Sequence, residues 1–233
     1  MNYNEGKNVD LSYLERLGYF KKDYDNLILK FPGSEFIENN YSQAMQDMFV
    51  LSILNGKKNG VYIEIGANNP ISINNTYLLE SMYDWSGISF DINKDEVSNF
   101  NSIRTNKCIC ADATKFDYKF LFDYGNLPKQ IDYLQVDCEP PFITLQCLLK
   151  LPLDTYRFSV ITFETDLYAG GCGYEVQLKQ EEVLSFYGYK RVVKNVCNPQ
   201  PYEDWWVDPL VVPESVWGQF SNQNIEFKKI MLK

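Results

Sequence analysis

Acidic side chains follow the ends of short apolar segments along this chain of 233 residues. Segment 61–65 carries Glu64 and runs directly into the turn Gly66-Ala67-Asn68, Asp91 closes the next segment, and Asp112 follows a third. If these segments are parallel strands, their carboxyl ends meet at one edge of a sheet, where open α/β folds bind nucleotide-like ligands. A carboxylate can accept both hydroxyls of a ribose, so Asp91 suits the ribose and Asp112 an adenine amino group.

The turn after the first segment restricts the ligand. Gly66 is not followed by the second and third glycines of the dinucleotide fingerprint, which bring the backbone against a pyrophosphate. The carboxylate of Asp91 would also repel a 2′-phosphate. The pattern therefore favours a nucleoside ligand without phosphates, such as S-adenosylmethionine. A nicotinamide-dependent dehydrogenase is the weaker alternative.

Four more carboxylates follow two further apolar segments. They are Asp137 and Glu139 after segment 131–136, and Glu164 and Asp166 after segment 158–163. The chain contains no histidine, so acid–base chemistry falls to carboxylates, tyrosine, lysine or cysteine. Carboxylates that converge raise one another's pKa and can act as a base near neutrality, or they can share a divalent cation such as magnesium. The sequence permits both.

The elements that position these side chains alternate along the chain. Short segments rich in Val, Ile, Tyr and Phe are separated by stretches of helical length, which is the pattern of βαβ units in a parallel, doubly wound sheet. We predict strands at 61–65, 87–91, 107–110, 131–136 and 158–163, and helices near 43–55, 74–83, 94–101, 117–124, 141–150 and 175–186. The predicted fold class is therefore α/β.

The N-terminal part of the chain is predicted to be a separate extension. Apolar residues recur at three-to-four spacing over residues 9–31, which indicates one or two helices. We therefore expect residues 1–40 to form a helical extension and residues 41–233 to form the main domain.

The C-terminal part is predicted to add an antiparallel hairpin at the edge of the sheet, with strands at 187–196 and 209–213. The long loop between these strands contains the aromatic residues Tyr202–Trp206. With Tyr168 and Tyr174, these aromatic faces suit contact with the C–H surfaces of a sugar. Anchoring of the loop itself is the alternative role.

The composition argues against several classes of partner. The net charge is −9 and no Lys/Arg stripe is present, so no nucleic-acid partner is expected. No apolar run approaches the ~18 residues of a membrane-spanning helix, so no membrane span is expected. The six cysteines lack the paired spacing of a zinc or redox site, and a reducing, cytoplasmic location fits them best.

Four motifs together resemble the FkbM-type S-adenosylmethionine-dependent methyltransferases. They are Tyr41-Ser-Gln-Ala-Met-Gln-Asp47, Tyr62-Ile-Glu-Ile-Gly-Ala-Asn68, Asn75-Thr-Tyr-Leu-Leu-Glu80 with Trp85-Ser-Gly87, and Ile131-Asp-Tyr-Leu-Gln-Val-Asp137. The similarity covers about residues 41–195. It implies a class I methyltransferase (Rossmann-like) fold, with a mostly parallel seven-stranded sheet and an antiparallel C-terminal hairpin. It also implies O-methylation of a hydroxyl on a small-molecule sugar or a glycan.

The resemblance implies roles for individual residues. Those implied for the cofactor are Glu64, Gly66, Ala67 and Asn68 with Gln43 and Asn75 at the methionine part, Asp91 and Ile92 at the ribose, and Asp112 and Ala113 at the adenine. Asp137 and Glu164 resemble the acidic magnesium ligands of catechol-type and some sugar O-methyltransferases. Glu139 and Asp166 are the remaining catalytic candidates.

Two positions depart from the family pattern. Pro70 stands where a second glycine is usual, and Asp137-Cys-Glu-Pro-Pro141 replaces the commoner Asp-x-Glu-Gly. These departures motivate an alternative in which the chain keeps the methyltransferase fold as a binding module without catalysis.

Overall fold

The computed structural model describes residues 23–233, so the part of the predicted extension before residue 23 lies outside the described residues. Between residues 23 and 40 the chain forms 3₁₀ turns at Asp23–Asn26 and Ser34–Phe36. Leu27 is fully buried and forms a bridge with Leu232. This segment therefore packs against the C-terminal residues, and the domain boundary at residue 40 stays a prediction.

Eight strands form one sheet in the described residues. They are β1 Val61–Ile65, β2 Ser86–Asp91, β3 Lys107–Cys110, β4 Gln130–Val136, β5 Arg157–Glu164, β6 Lys190–Cys197, β7 Pro201–Val207 and β8 Asn222–Glu226. The strand order is β3-β2-β1-β4-β5-β7-β6-β8. Strand β7 is antiparallel to both of its neighbours, and all other pairs are parallel.

The α-helices of the described residues cover both faces of the sheet. They are α1 Gln46–Ile53, α2 Tyr77–Tyr83, α3 Lys94–Ile103, α4 Tyr118–Tyr124, α5 Pro141–Lys150, α6 Gly173–Phe186, α7 Glu214–Trp217 and α8 Phe227–Met231. One core cluster joins α1, α2 and α8 to the sheet and includes the stacked rings of Phe49 and Trp205. The other joins α4, α5 and α6 to the opposite face, where Phe122 packs edge-on to Tyr156.

The strand order reverses between β1 and β4. The crossovers after β1 and β2 build the sheet in one direction, and those after β4 and β5 build it in the other. In an open α/β sheet, such a switch point leaves a crevice beyond the carboxyl ends of the strands, and ligands bind there. This arrangement, with antiparallel β7 inserted between β5 and β6, is the class I methyltransferase fold, as predicted; β8 adds an eighth strand at the edge beside β6.

The C-terminal hairpin forms from different residues than predicted. Its second strand is β7, whereas residues 209–213 form a turn in which the Val212 N–H donates to the Asp208 carbonyl over 2.9 Å. The prediction that Tyr202–Trp206 lie in a long loop is therefore wrong, whereas contact of Tyr202 with a sugar stays a prediction. Trp205 and Trp206 are buried inside the sheet. No helix within residues 23–233 has the length and apolar character needed to cross a membrane.

Candidate functional site

The carboxyl ends of β1, β2, β4 and β5 open into a cavity of about 750 Å³. This volume lies within the ~300–1,000 Å³ typical of small-molecule and cofactor sites. All of the predicted site residues except Asp166 line it: Gln43, Glu64, Gly66, Ala67, Asn68, Asn75, Asp91, Ile92, Asp112, Ala113, Asp137, Glu139 and Glu164. The topology thus brings residues from seven separate parts of the sequence to one site.

The turn after β1 forms the floor of the cavity. Gly66 has a φ of +87°, and a Cβ atom there would lie 1.6 Å from the carbonyl oxygen of Asp137. The N–H groups of Gly66 and Ala67 both donate to the Phe90 carbonyl, over 2.9 and 3.0 Å. The glycine therefore allows β1 to approach β4 closely, and the turn's N–H groups hold it to β2.

Pro70 does not obstruct this turn. It is buried, it is not among the residues lining the cavity, and its carbonyl accepts a hydrogen bond of 2.9 Å from the Arg104 guanidinium. The side-chain oxygen of Asn69 accepts from the N–H groups of Ile71 and Ser72. The chain after the glycine is thus fixed by side chains where the family pattern has a second glycine.

The second departure from the family pattern is the pair Pro140-Pro141 after β4, and it coincides with the start of a helix. Pro141 is the first residue of α5. The N–H of the first helical residue has no partner within the helix, so a proline loses no hydrogen bond there. The φ angle of proline is also already helical. The Pro140 carbonyl accepts the Ile143 N–H over 2.8 Å.

Asp91 is held in one orientation by the backbone. Its Oδ2 accepts the Asn68 N–H and its Oδ1 accepts the Asn93 N–H, both over 2.8 Å. Each carboxylate oxygen has a second lone pair, so the group can still accept two further hydrogen bonds. This is the geometry needed to receive the two hydroxyls of a ribose.

Asp112 lies at the far end of the cavity and caps a 3₁₀ turn. Its Oδ1 accepts the Thr114 N–H over 3.1 Å, and its Oδ2 lies 2.8 Å from the Lys115 ammonium. Hydrogen bonds from Lys115 and Thr114 lower the pKa of Asp112 to about 2. The carboxylate is therefore ionised and can accept a hydrogen bond from a ligand.

Glu64 is the most buried carboxylate at the turn, with 1% of its surface exposed. Its Oε2 accepts hydrogen bonds from the hydroxyls of Ser89, over 2.7 Å, and Thr76, over 3.1 Å. Burial raises the pKa of Glu64 to about 7, although the positive charge of Arg104 opposes the rise. A cationic group of a ligand at this end would favour the ionised form.

The side chains of Asp137 and Glu164 lie beside each other where β4 and β5 end, near enough to share a hydrogen bond when one of them is protonated. Burial raises the pKa of Asp137, and burial followed by the negative charge of Asp137 raises the pKa of Glu164. Two adjacent carboxyl groups in a low dielectric retain a proton between them because both cannot ionise. The pair therefore combines one carboxylate with one carboxylic acid.

The pair alone does not make a metal site. Magnesium takes about six oxygen ligands, and this pair supplies only two side chains. In residues 23–233 there is no group of three or more His, Cys, Asp or Glu side chains arranged to hold a metal ion. The predicted magnesium site is therefore not supported by the described residues, and we derive no step through a metal.

The other two catalytic candidates lie in different surroundings. Glu139 is exposed at the rim of the cavity. Asp166 does not line the cavity; it has a φ of +49°, and its N–H donates to the Tyr202 carbonyl over 3.0 Å. Its side chain is buried, and its negative charge helps to raise the pKa of both Asp137 and Glu164.

Glu203 lines the same cavity and was missed in the sequence. It lies on β7 directly opposite Glu164 in the antiparallel register. Its Oε2 accepts hydrogen bonds from the Trp205 indole, over 2.5 Å, and from the Gln46 amide, over 3.1 Å. Burial raises the pKa of Glu203 to about 8. Correct assignment of β7 would have found it, since the start of this strand must meet the end of β5.

Several solved structures are similar to this chain at low sequence identity. A candidate rRNA methylase from Clostridium thermocellum is 16% identical with a TM-score of 0.48, and the match covers 72% of this chain and 97% of that one. Fibrillarin from Aeropyrum pernix, in complex with natively bound S-adenosyl-L-methionine, is 13% identical with a TM-score of 0.41, covering 65% and 67%.

A TehB-like SAM-dependent methyltransferase from Corynebacterium glutamicum is 9% identical with a TM-score of 0.42, covering 76% of this chain and 92% of that one. No protein-family model matches the chain, and no curated protein matches it.

Proposed function

We propose that this protein is an S-adenosylmethionine-dependent O-methyltransferase of the FkbM type that acts on a hydroxyl of a sugar or glycan. One observation carries the proposal: a single cavity contains Asp112, Asp91 and the Gly66 turn together with the Asp137–Glu164 pair. The first three suit an adenosyl group, and the pair suits the activation of a hydroxyl beside it.

The adenosyl half of the cofactor would lie along β2 and β3. Asp112 accepts a hydrogen bond from the adenine amino group, with Ala113 beside the ring. Asp91 accepts the ribose hydroxyls, with Ile92 against the sugar. Because backbone N–H groups already fix the Asp91 carboxylate, this contact needs little reorganisation on binding.

The methionine half would lie over the turn after β1. Glu64 receives the ammonium group, which favours ionisation of this carboxyl over the neutral form that burial promotes. The amide side chains of Gln43, Asn68 and Asn75 line the same part of the cavity and offer donors to the cofactor's carboxylate. When bound, the cofactor supplies an electrophilic methyl group on a sulfonium.

Asp137 would take the proton of the acceptor hydroxyl. The proton that it shares with Glu164 holds the two carboxyls together, so Asp137 is oriented and still has lone pairs for the hydroxyl. The bound cofactor would supply the methyl group and leave as S-adenosylhomocysteine when its methyl–sulfur bond breaks, and Asp137 would accept the proton that the hydroxyl loses. General-base assistance of this kind contributes about 10²–10⁴-fold, and alignment of the two reactants contributes about 7–11 kcal/mol.

Calorimetry with S-adenosylmethionine and S-adenosylhomocysteine tests the cofactor half. We expect the wild type to bind both, and Asp91→Ala to bind at least about tenfold more weakly, because hydrogen bonds to a charged group contribute about 1.5–3 kcal/mol each. Asp95→Asn is the control, since Asp95 is exposed and does not line the cavity. Absence of binding to the wild type would overturn the proposal.

Transfer is tested by mass spectrometry of a panel of glycosides incubated with the protein and S-adenosylmethionine. A mass increase of one methyl group on a sugar, with the methyl located on oxygen by fragmentation, is the expected result. Cofactor binding without transfer to any glycoside would instead support the non-catalytic binding module.

A further inference from the structure

The acceptor end of the cavity is rich in carboxyl groups and lacks basic ones. We define this end by the residues Asp137, Glu139, Glu164, Tyr168, Tyr202 and Glu203. Among residues 23–233, no Lys or Arg lines the cavity. A phosphate or carboxylate on the acceptor would therefore meet repulsion, with no basic partner, in a partly desolvated site.

One buried side chain at this end has an oxygen without a partner among the described residues. Hydrogen bonds from these residues reach Glu203 only at Oε2, and this side chain, 2% exposed, lines the cavity. Buried carboxylates are normally paired or hydrogen-bonded, so the open Oε1 of Glu203 points to a cationic or donating ligand group.

The two arginines of low exposure, Arg104 and Arg191, form ion pairs with other carboxylates. Arg104 pairs with Glu80, and Arg191 pairs with Glu181 and Asp204. The sulfonium of the cofactor brings one positive charge beside the Asp137–Glu164 pair. It leaves Glu203, on the adjacent strand, without a counter-charge.

Resting on the proposed function, we propose that the acceptor is an amino sugar, whose protonated amine lies against Glu203 while a nearby hydroxyl is methylated beside Asp137. Glu203 and Asp137 line the same end of the cavity, on strands separated only by β5, so one sugar ring can present its amine to the first and a hydroxyl to the second. Tyr168, which also lines the cavity and is half exposed, offers an aromatic face to the sugar ring.

Methyl transfer to free amino sugars and to their N-acetyl forms tests this inference, because acetylation removes the charge and keeps the ring. The probes are glucosamine, galactosamine and mannosamine, each with its N-acetyl form and its neutral parent sugar. We expect the best free amine to have a kcat/KM at least about tenfold above its N-acetyl form and its parent sugar, about 1.4 kcal/mol of discrimination.

Glu203→Gln keeps an oxygen for Gln46 and Trp205 but cannot take the negative charge that an ammonium group against it would favour. We expect it to abolish the preference for the amine while S-adenosylhomocysteine still binds. Glu182→Gln, at an exposed carboxylate on α6, is the control and should keep the preference.

Several outcomes would overturn the inference. They are equal or faster methylation of the N-acetyl or neutral sugars, no transfer to any amine by cofactor-binding protein, and an amine preference that survives in Glu203→Gln. Tight binding of magnesium alone, with activity that then requires it, would assign the carboxylates to a metal instead. Failure to bind S-adenosylmethionine at all would contradict the proposed function itself. Failure of the amino-sugar inference can therefore be distinguished from failure of the proposed function.

Discussion

The carbonyl oxygen of Asp137 lies 1.6 Å from the point that a Cβ atom on Gly66 would occupy. The ends of β1 and β4 can therefore approach each other only because residue 66 has no side chain. We expect Gly66→Ala to force these ends apart, to lower the free energy of unfolding by about 3 kcal/mol or more, and to abolish cofactor binding. Urea unfolding and calorimetry measure the two effects.

Gly188→Ala separates the clash at Gly66 from simple backbone strain. Gly188 has a φ of +81°, close to that of Gly66, but a Cβ atom there would have no atom of the described part of the chain within 4 Å. This variant should lose only about 1–2 kcal/mol, the cost of a left-handed conformation, and keep full cofactor affinity. Equal losses of stability in the two variants would contradict the proposed clash.

Arg104 supports the cofactor turn from behind. Its buried guanidinium donates to the Pro70 carbonyl over 2.9 Å, to the Thr76 hydroxyl over 3.0 Å and to Glu80 over 2.8 Å. A lysine cannot replace this planar set of donors, so we expect Arg104→Lys to cost about 3 kcal/mol or more of unfolding free energy and to weaken cofactor binding.

Arg157→Lys is the matched control for Arg104→Lys. Arg157 pairs with buried Asp208 and does not line the cavity. The Arg157→Lys variant should be less stable than the wild type. Its affinity for S-adenosylhomocysteine, measured by calorimetry, should equal that of the wild type. Unchanged affinity in Arg104→Lys would show that the guanidinium has no part in positioning the turn.

The strands that build the site were predictable because burial makes them distinctive. β1 and β4 are buried and rich in Val, Ile, Leu and Tyr although each carries an acidic residue, and their carboxyl ends meet at the switch point. β7 was missed because its centre carries Glu203 and Asp204. Their partners Gln46, Gln177 and Gln180 lie far away in the sequence, so nothing local marks these acids as buried.

The direction of each strand explains which site residues could be predicted from the sequence. Asp91, Asp137 and Glu164 end parallel strands, and parallel topology alone brings such residues to one edge. Glu203 begins an antiparallel strand, so it reaches this edge only if β7 is placed first. Asp166 lies two residues past β5, and the left-handed backbone there places its side chain outside the cavity lining, which sequence spacing does not reveal.

The raised pKa of Glu203 predicts a specific dependence of stability on pH. Its ordinary pKa of 4.5 rises to about 8 in the folded protein because the carboxyl is buried. Between these values the folded state holds a proton that the unfolded state has lost, so this group's contribution to stability is present below about pH 4.5 and is lost as the pH rises through 8. Other groups with shifted pKa values, such as Glu64, also make the free energy of unfolding depend on pH.

Glu203→Gln removes this titration and isolates its effect. We expect the difference in unfolding free energy between the variant and the wild type to change by about 1–3 kcal/mol between pH 5 and pH 8, in favour of the variant at the higher pH. Urea unfolding at pH 5, 6, 7 and 8 measures it. A difference that is constant across this range would show that Glu203 does not titrate there.

Asp137 and Glu164 differ in their proposed roles, and two amide variants distinguish them. Asp137→Asn keeps the shape but cannot take a proton, so we expect kcat to fall about 10²–10⁴-fold. Glu164→Gln still donates a hydrogen bond to Asp137, so its kcat should fall by only about tenfold. S-adenosylhomocysteine affinity should be unchanged in both, since the loss lies in the chemical step. A larger loss in Glu164→Gln than in Asp137→Asn would exchange the two roles, because the better base is the group whose amide is less active.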